Sequence, residues 1–294
     1  MPQYEIAGLV LNVTCDNPTF IERLHEFMLD QSKDADVNIT LKSKVSIDTP
    51  TGSLLLDENI KWLRKPLEQN GYFLYAPLEG YSNIPVLADI DHGWQNGIIS
   101  YHFAKEFLQQ NSNSLTAAYQ HILMGLIGVI FRNSLFHHNG IVIHSSAIDW
   151  EGKGIIFSAP SGTGKSTQAK LWQEFMGDRV RVLNDDTPAV CLKNGDPYIF
   201  GTPWCGSSFI HCNASAPLRA IIMLEQAQEN SISKLSKEEV ILRLMPRVLL
   251  PYFDQTLMSK AVDIFEKIVA TVPVYLLKGK PDRESVEMVY KLVK

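Results

Sequence analysis

The sequence predicts a mixed α/β chain, with a smaller α+β part over residues 1–112 and an α/β part over residues 113–294. Three observations lead there. Apolar residues fall at every second position over residues 4–13 and 37–47, most cleanly at Val37, Ile39, Leu41, Val45 and Ile47, which is the period of a strand. An apolar run feeds a loop of small residues that opens a helical stretch, IIFSAPSGTGKSTQAKLW over residues 155–172. Beyond it, short apolar runs alternate with stretches of helical period to the end of the chain, the pattern of helices layered on a sheet.

Bulk composition sets outer bounds. At 294 residues and 45% apolar content the chain can bury a proper core. A formal net charge of −5 with no long Lys/Arg run leaves no electrostatic footprint for nucleic acid or an anionic membrane, so neither is expected as a partner. Cys15, Cys191, Cys205 and Cys212 form no C-x-x-C pair, and the opening MPQYEIAGLVLNV lacks a basic stretch ahead of a small-residue cleavage site. A reducing, cytoplasmic setting is the expectation. The strongest apolar run, residues 122–131, is about half the length of a membrane-spanning helix and ends at Arg132, which reads as buried core.

In the first part, a helix is expected behind Asn17-Pro18, with Phe20, Leu24 and Phe27 on one face. Strands are expected at residues 72–75, 85–90 and 98–103, punctuated by Asn70-Gly71, His92-Gly93 and Asn96-Gly97. This part holds no chemistry-bearing motif. It suits acceptor recognition and a purely structural or oligomerising role equally.

A helix over residues 114–137 follows, with Ile122, Leu123, Leu126, Ile127, Ile130 and Phe131 at helical spacing and Asn139-Gly140 as its stop. Next come strands at residues 141–148 and 154–158 around a turn at 149–152, a helix over 165–176 stopped by Gly177, and a strand at 180–183. Residues 188–192 and 198–200 flank Lys193-Asn194-Gly195-Asp196, a hairpin signal. A core strand is expected at 220–224. Ser236-x-x-Glu239 is a capping box for a helix running toward Leu249 that Pro246 kinks or ends. A helix at 255–271, a strand at 274–277 and a helix from Asp282 complete the pattern.

The chemistry concentrates in Ala159-Pro160-Ser161-Gly162-Thr163-Gly164-Lys165-Ser166. In a P-loop, consecutive backbone amides line an anion-sized hollow, the following helix adds its positive end, and a Lys reaches the β- and γ-phosphates. Gly162, Gly164, Lys165 and Ser166 stand where that hollow needs them, and the Ser166 hydroxyl suits Mg²⁺. Ala159 replaces the first glycine of the consensus, which opens the turn without holding the γ-phosphate. Further on, the apolar run Val180-Arg181-Val182-Leu183-Asn184 delivers Asp185 and Asp186 to a strand end. Adjacent acids repel, and Mg²⁺ on one leaves the other to accept a proton, a division of labour suited to phosphoryl transfer to an alcohol.

The span IHSSAIDWEGKGIIFSAPSGTGKSTQAKLW…VLNDD resembles the HPr kinase/phosphorylases, whose catalytic domain shares its architecture with phosphoenolpyruvate carboxykinases. The resemblance covers residues 140–225, with weaker similarity to the chain end. It implies a P-loop kinase domain over 113–294 behind a smaller α+β N-terminal domain over 1–112. It puts ATP on Ser161, Gly162, Thr163, Gly164, Lys165, Ser166 and Thr167, and Mg²⁺ on Ser166 and one acid. Asp185 is assigned as general base and Asp186 as metal ligand, with His144 beside the transferred phosphate and Lys165 on the phosphates. Arg219 stands near an arginine of the family, or is a plain surface residue.

One departure matters: Phe200-Gly201-Thr202-Pro203-Trp204-Cys205-Gly206-Ser207-Ser208 lacks the family's metal-binding Glu, which leaves the family's second metal site, and with it the reverse phosphorylase reaction, an open question for this chain. This segment is similar instead to HPr-kinase-like proteins encoded with ribosomal peptide maturation systems, including lasso-peptide kinases that phosphorylate a precursor on serine. Trp204 would pack on adenine, on an acceptor peptide, or as a plug under the hairpin. Cys205, His211 and Cys212 are three soft ligands without a familiar zinc spacing. The expected activity is transfer of the γ-phosphoryl group of ATP to a serine-type hydroxyl of a peptide or small protein. A small-molecule kinase and a nucleotide-binding regulatory module are the alternatives, and homo-oligomers occur in the family.

Overall fold

Residues 2–76, 84–102 and 112–294 are described in the structure, a computed structural model. The chain divides into two units, Met1–Ser134 and Leu135–Lys294. The division falls at the last residue of the long helix, Ser112–Leu135.

The first unit holds an eight-stranded mixed sheet in the order β1-β2-β3-β8-β7-β6-β5-β4. Its strands are β1 (Gln3–Ile6), β2 (Leu9–Cys15), β3 (Val37–Ser43), β4 (Ser53–Asp57), β5 (Lys61–Arg64), β6 (Gly71–Ala76), β7 (Val86–Asp91) and β8 (Asn96–Tyr101). The alternating stretch 4–13 is a hairpin and not one strand. Ala7 and Gly8 sit at φ 52° and 86°, and positive φ at both central residues is what the tight two-residue turn demands. The stretch 37–47 pairs only as far as Ser43, leaving Val45 92% exposed.

The helix expected behind Asn17 is a 3-10 segment, Pro18–Phe27, broken at Ile21 but burying the expected Phe20, Leu24 and Phe27. β4 and β5 escaped the sequence reading because Ser53-Leu54-Leu55-Leu56-Asp57 does not alternate. Phe103, read as the end of a strand, lies outside the described residues. Helix α1 (Ser112–Leu135) buries Leu123, Leu126, Ile127, Ile130 and Phe131, as the spacing predicts. After one 3-10 turn, Asn139 ends the run in the left-handed region at φ 57°.

The second unit is built on a nine-stranded sheet, order β12-β10-β11-β15-β14-β13-β9, with β17 on β15 and β16 on β17. Its strands are β9 (Gly140–Val142), β10 (Ser145–Trp150), β11 (Lys153–Ser158), β12 (Val180–Asn184), β13 (Ala189–Lys193), β14 (Asp196–Phe200), β15 (Ser215–Gln226), β16 (Ser231–Lys234) and β17 (Val274–Gly279). Helices α2 (Lys165–Met176), α3 (Lys237–Leu244), α4 (Gln255–Thr271) and α5 (Arg283–Val293) complete it.

Strand direction creates the site. β10 is antiparallel to both β11 and β12, and β15 is parallel to both β11 and β17. The strands β11, β12, β15 and β17 therefore run the same way and end at one edge of the sheet, where open α/β sheets bind ligands. That edge receives the loop after Ser158, the acids after Asn184, and the ends of β15 and β17. Because β10 runs the other way, His144 just before it sits at the same edge.

The single strand expected at 141–148 is two. β9 pairs with β13 and β10 with β11 and β12, and the chain steps between them at Ile143-His144. Ile143 N donates to Pro188 O at 3.2 Å and His144 N to Arg247 O at 2.8 Å, so both amides find partners off the ladder.

Beneath the edge, Trp172 of α2 packs on Phe157 and Trp150, with Val286 and Val289 of α5 in the same core. The buried Gln168 side chain of α2 donates to Ser285 Oγ of α5 at 3.3 Å. This cluster fixes where α2 begins. Asp282 caps α5, Asp254 caps α4, and the expected capping box of Ser236 and Glu239 starts α3. Pro246 stands in a 3-10 turn, Met245–Arg247, that ends this helix.

Candidate functional site

The loop between β11 and α2 turns on two glycines, Gly162 at φ 77° and Gly164 at φ 117°. A Cβ at either would meet open space, so the requirement is backbone conformation rather than room. Ala159 is fully buried and is not among the residues of positive φ. Its backbone needs no glycine, which explains physically how the consensus position tolerates a methyl group.

Helix α2 starts at Gly164, which offers no side-chain cap. The amides of its first turn keep their positive end for something else, an arrangement suited to an anion. Lys165 is 8% exposed; its Nζ donates to Ala159 O at 3.3 Å, and among the described residues it makes no ion pair.

Asn184, at the end of β12, organises the acids. Its Oδ1 accepts from Asp186 N at 2.8 Å and Thr187 N at 2.7 Å, folding the chain into a tight turn. Its Nδ2 donates to Thr202 O at 2.8 Å and Trp204 O at 3.0 Å. One fully buried side chain thus ties the acidic turn to the Gly-Thr-Pro-Trp segment. Thr202 Oγ1 closes the network on Thr187 O at 2.9 Å. At Gly201 a Cβ would lie 1.9 Å from Cys212 O and 2.6 Å from Leu183 O, so only glycine lets these backbones pass.

The two acids differ in setting. Asp185 is buried, and its Oδ1 accepts from Ser146 Oγ. Asp186 is half-exposed, with Oδ1 3.3 Å from His144 Nε2. Gly206 packs against it so closely that a Cβ there would stand 3.2 Å from Asp186 Cγ.

Burial lowers the His144 imidazole below its ordinary 6.5, helped by the Lys165 and Arg247 charges and opposed by Asp186. Burial likewise lowers the Lys165 ammonium, with Asp186 opposing and Arg247 reinforcing. Arg247 is a site residue that the sequence reading missed. It stands in the short 3-10 turn after α3, and only tertiary structure brings it beside β10.

His144, Ser161, Gly162, Gly164, Lys165, Ser166, Thr167, Asp185 and Asp186 line one cavity of about 320 Å³, with Gly206 and Ser208. Thr163 lines a neighbouring cleft of about 700 Å³ between the ends of β15 and β17, which shares Gly162, Gly164 and Thr167 with the first. Arg219 is exposed on β15 and lines neither. Cys205 Sγ meets His211 Nδ1 at 3.3 Å, while Cys212 Sγ points to Val182 O at 3.6 Å. Among the described residues, no group of three or more His, Cys, Asp and Glu side chains is placed to hold a metal by itself. Mg²⁺ needs no such cage, since it binds through one or two carboxylates with waters and phosphate oxygens. Ser166 and Asp186 facing one cavity meet that requirement.

An α/β unit whose co-directional strands deliver a glycine loop, a buried lysine and an acidic pair to one edge is the class that fold and site define. The chain belongs to the family described as SynChlorMet cassette protein ScmC, whose model matches residues 112–289. Among solved structures, it is similar to the Hpr(Ser) kinase/phosphatase from Coxiella burnetii at 10% identity, over 52% of this chain and 93% of that one, with a TM-score of 0.29. A comparison with curated proteins found no match. Among the described residues, no helix is long and apolar enough to cross a membrane.

Proposed function

We propose that the second unit is an HPr-kinase-like kinase that transfers the γ-phosphoryl group of ATP to a serine-type hydroxyl of a peptide or small protein. The observation that carries this reading is the single cavity shared by the glycine loop, Lys165 and the two acids. The loop amides and Lys165 bind the phosphates, and the adjoining 700 Å³ cleft, with Gln226, Gln228 and Lys280 in its wall, takes the nucleoside end. Ser166 and Asp186 would hold Mg²⁺, which neutralises phosphate charge when bound.

His144 fixes the orientation of the Asp186 carboxylate from 3.3 Å, as outer partners of ligating carboxylates do. Ser146 holds one oxygen of Asp185 and leaves the other for the acceptor. In the step itself the acceptor oxygen bonds to the γ-phosphorus as the bond to the leaving ADP oxygen breaks, and the hydroxyl proton passes to Asp185. Catalysis rests on placement and charge neutralisation.

The precursor-peptide setting suggested by the Gly-Thr-Pro-Trp-Cys-Gly resemblance makes a peptide the first acceptor to test. Labelled ATP incubated with the protein and serine peptides should place label on serine. Asp185→Asn should abolish that label while leaving Mg·ATP binding intact, and Asp186→Asn should raise the Mg²⁺ concentration needed. Label on a small metabolite instead, or binding without transfer to any acceptor, defeats the reading.

A further inference from the structure

We infer that Ser208 is itself a phosphoryl acceptor, a modification site that the chain serves in cis when no peptide occupies the cavity; this rests on the kinase reading above. The segment that carries Ser208 doubles back along the acids. Asn184 bridges antiparallel to His211, Asp185 N donates to Ile210 O at 3.2 Å, and Gly206 packs so closely that a Cβ there would stand 3.2 Å from Asp186 Cγ. Gly206 and Ser208 thereby join Lys165, Asp185 and Asp186 in lining the cavity of about 320 Å³.

Direction singles out this hydroxyl. Four of the described residues that line the cavity bear one: Ser161, Ser166, Thr167 and Ser208. The first three belong to the glycine loop and the first turn of α2, where the phosphates are held. In the sheet, β12 with its acids lies on one side of β11, and β15 and β17 lie on the other. The nucleoside cleft is on the side of β15 and β17, so the leaving ADP extends that way. In-line displacement requires the attacking oxygen on the far side of the γ-phosphorus, the side of β12. Ser208, in the segment that runs beside the acids, brings a hydroxyl to that side.

The Ser208 oxygen is free to attack. Its Oγ donates to Cys205 O at 3.1 Å and accepts from Ile210 N at 3.3 Å, which leaves one of its two lone pairs unused among the described residues. At about 320 Å³ the cavity lies at the small end of the roughly 300–1,000 Å³ range of ligand sites. With a terminal phosphate on the loop, a hydroxyl already in the wall has no association entropy to overcome, whereas a peptide must first enter. In the step, Ser208 Oγ bonds to the γ-phosphorus as the bond from that phosphorus to the oxygen of the departing ADP breaks, and the hydroxyl proton passes to Asp185. Serine becomes phosphoserine and ATP becomes ADP, with no further reactant.

The test incubates the full chain with Mg²⁺ and ATP labelled in the γ-phosphate, without peptide, and maps the labelled residue by mass spectrometry. One phosphate per chain should appear on Ser208, with a rate constant that dilution of the protein leaves unchanged. Ser208→Ala and Asp185→Asn should each carry no label. Mapping of the wild type decides the matter even where a variant fails to fold. Label on another residue, label that survives either substitution, or a rate constant that rises with protein concentration overturns the inference. An unlabelled chain that nevertheless phosphorylates a serine peptide also overturns it, and leaves the kinase reading in place. Label on Ser208 with none on any peptide upholds the inference and removes only the peptide acceptor. No label on the chain or on any acceptor, or no binding of Mg·ATP, overturns the kinase reading and this inference with it.

Discussion

Removing the Asn184 side chain tests how the acidic turn is built. Asn184→Ala strands the Thr202 carbonyl and the Asp186 and Thr187 amides, all within 2.8 Å of the lost amide group, while the Trp204 carbonyl keeps the Thr187 hydroxyl as a donor. Thr202 is fully buried, while Asp186 and Thr187 are half-buried and keep some access to water. Each buried unsatisfied group costs about 1–3 kcal/mol, so with partial rescue by water the loss is about 3 kcal/mol. For a unit of this size that lowers Tm by about 6–12 °C.

Asn184→Asp should lose at least as much, because it keeps the acceptor for the two amides but turns a second acceptor toward two carbonyls. Misplacing Asp185 and Asp186 by even about 1 Å should cost transfer about a hundredfold at temperatures where the variant stays folded. Urea denaturation measures the first effect and label transfer to a serine peptide the second. Asn184→Ala with stability within about 1 kcal/mol of wild type and transfer intact would refute the reasoning.

Ala159→Gly should leave Mg·ATP affinity unchanged and lower stability by about 0.5–1 kcal/mol, since the site needs no positive φ; titration calorimetry and thermal melts check both. Gly201→Ala drives a methyl group into Cys212 O and should cost about 3 kcal/mol, read as a loss of soluble folded protein or a lower urea midpoint. The pH dependence has a definite sign. His144 has a lowered proton affinity when folded, so the unfolded chain takes up its proton first as pH falls through 6.5. This contribution to stability is complete above that pH and is lost below it, down to the lowered folded value. His144→Gln should flatten the dependence of Tm on pH in this window.

Much of the second unit was legible in the chain. The motif over residues 159–166 announced itself because its glycines, lysine and serine fall within one short stretch, and Asn194-Gly195 announced the hairpin because a two-residue turn demands positive φ at both, found at 52° and 92°. Asp185 and Asp186 could be placed at a strand end from the apolar run before them. The step at Ile143-His144 could not, because both neighbouring strands are apolar and only their different partners separate them. The sequence marks Asn184 only as the residue that ends a strand, since nothing local reveals that its amide bridges to residues 18 and 20 positions on. Arg247 was invisible for the same reason: its approach to His144 depends on the packing of a 3-10 turn against β10. β16 lacks any apolar run and exists through its pairing with β17.

Titration of the protein with Mg·ATP by calorimetry, wild type beside Lys165→Ala, tests the central claim most directly. The account predicts one bound nucleotide per chain in the wild type, and affinity lost when the buried ammonium that faces both acids is removed. Equal heats from the two proteins, or no heat from either, would contradict it.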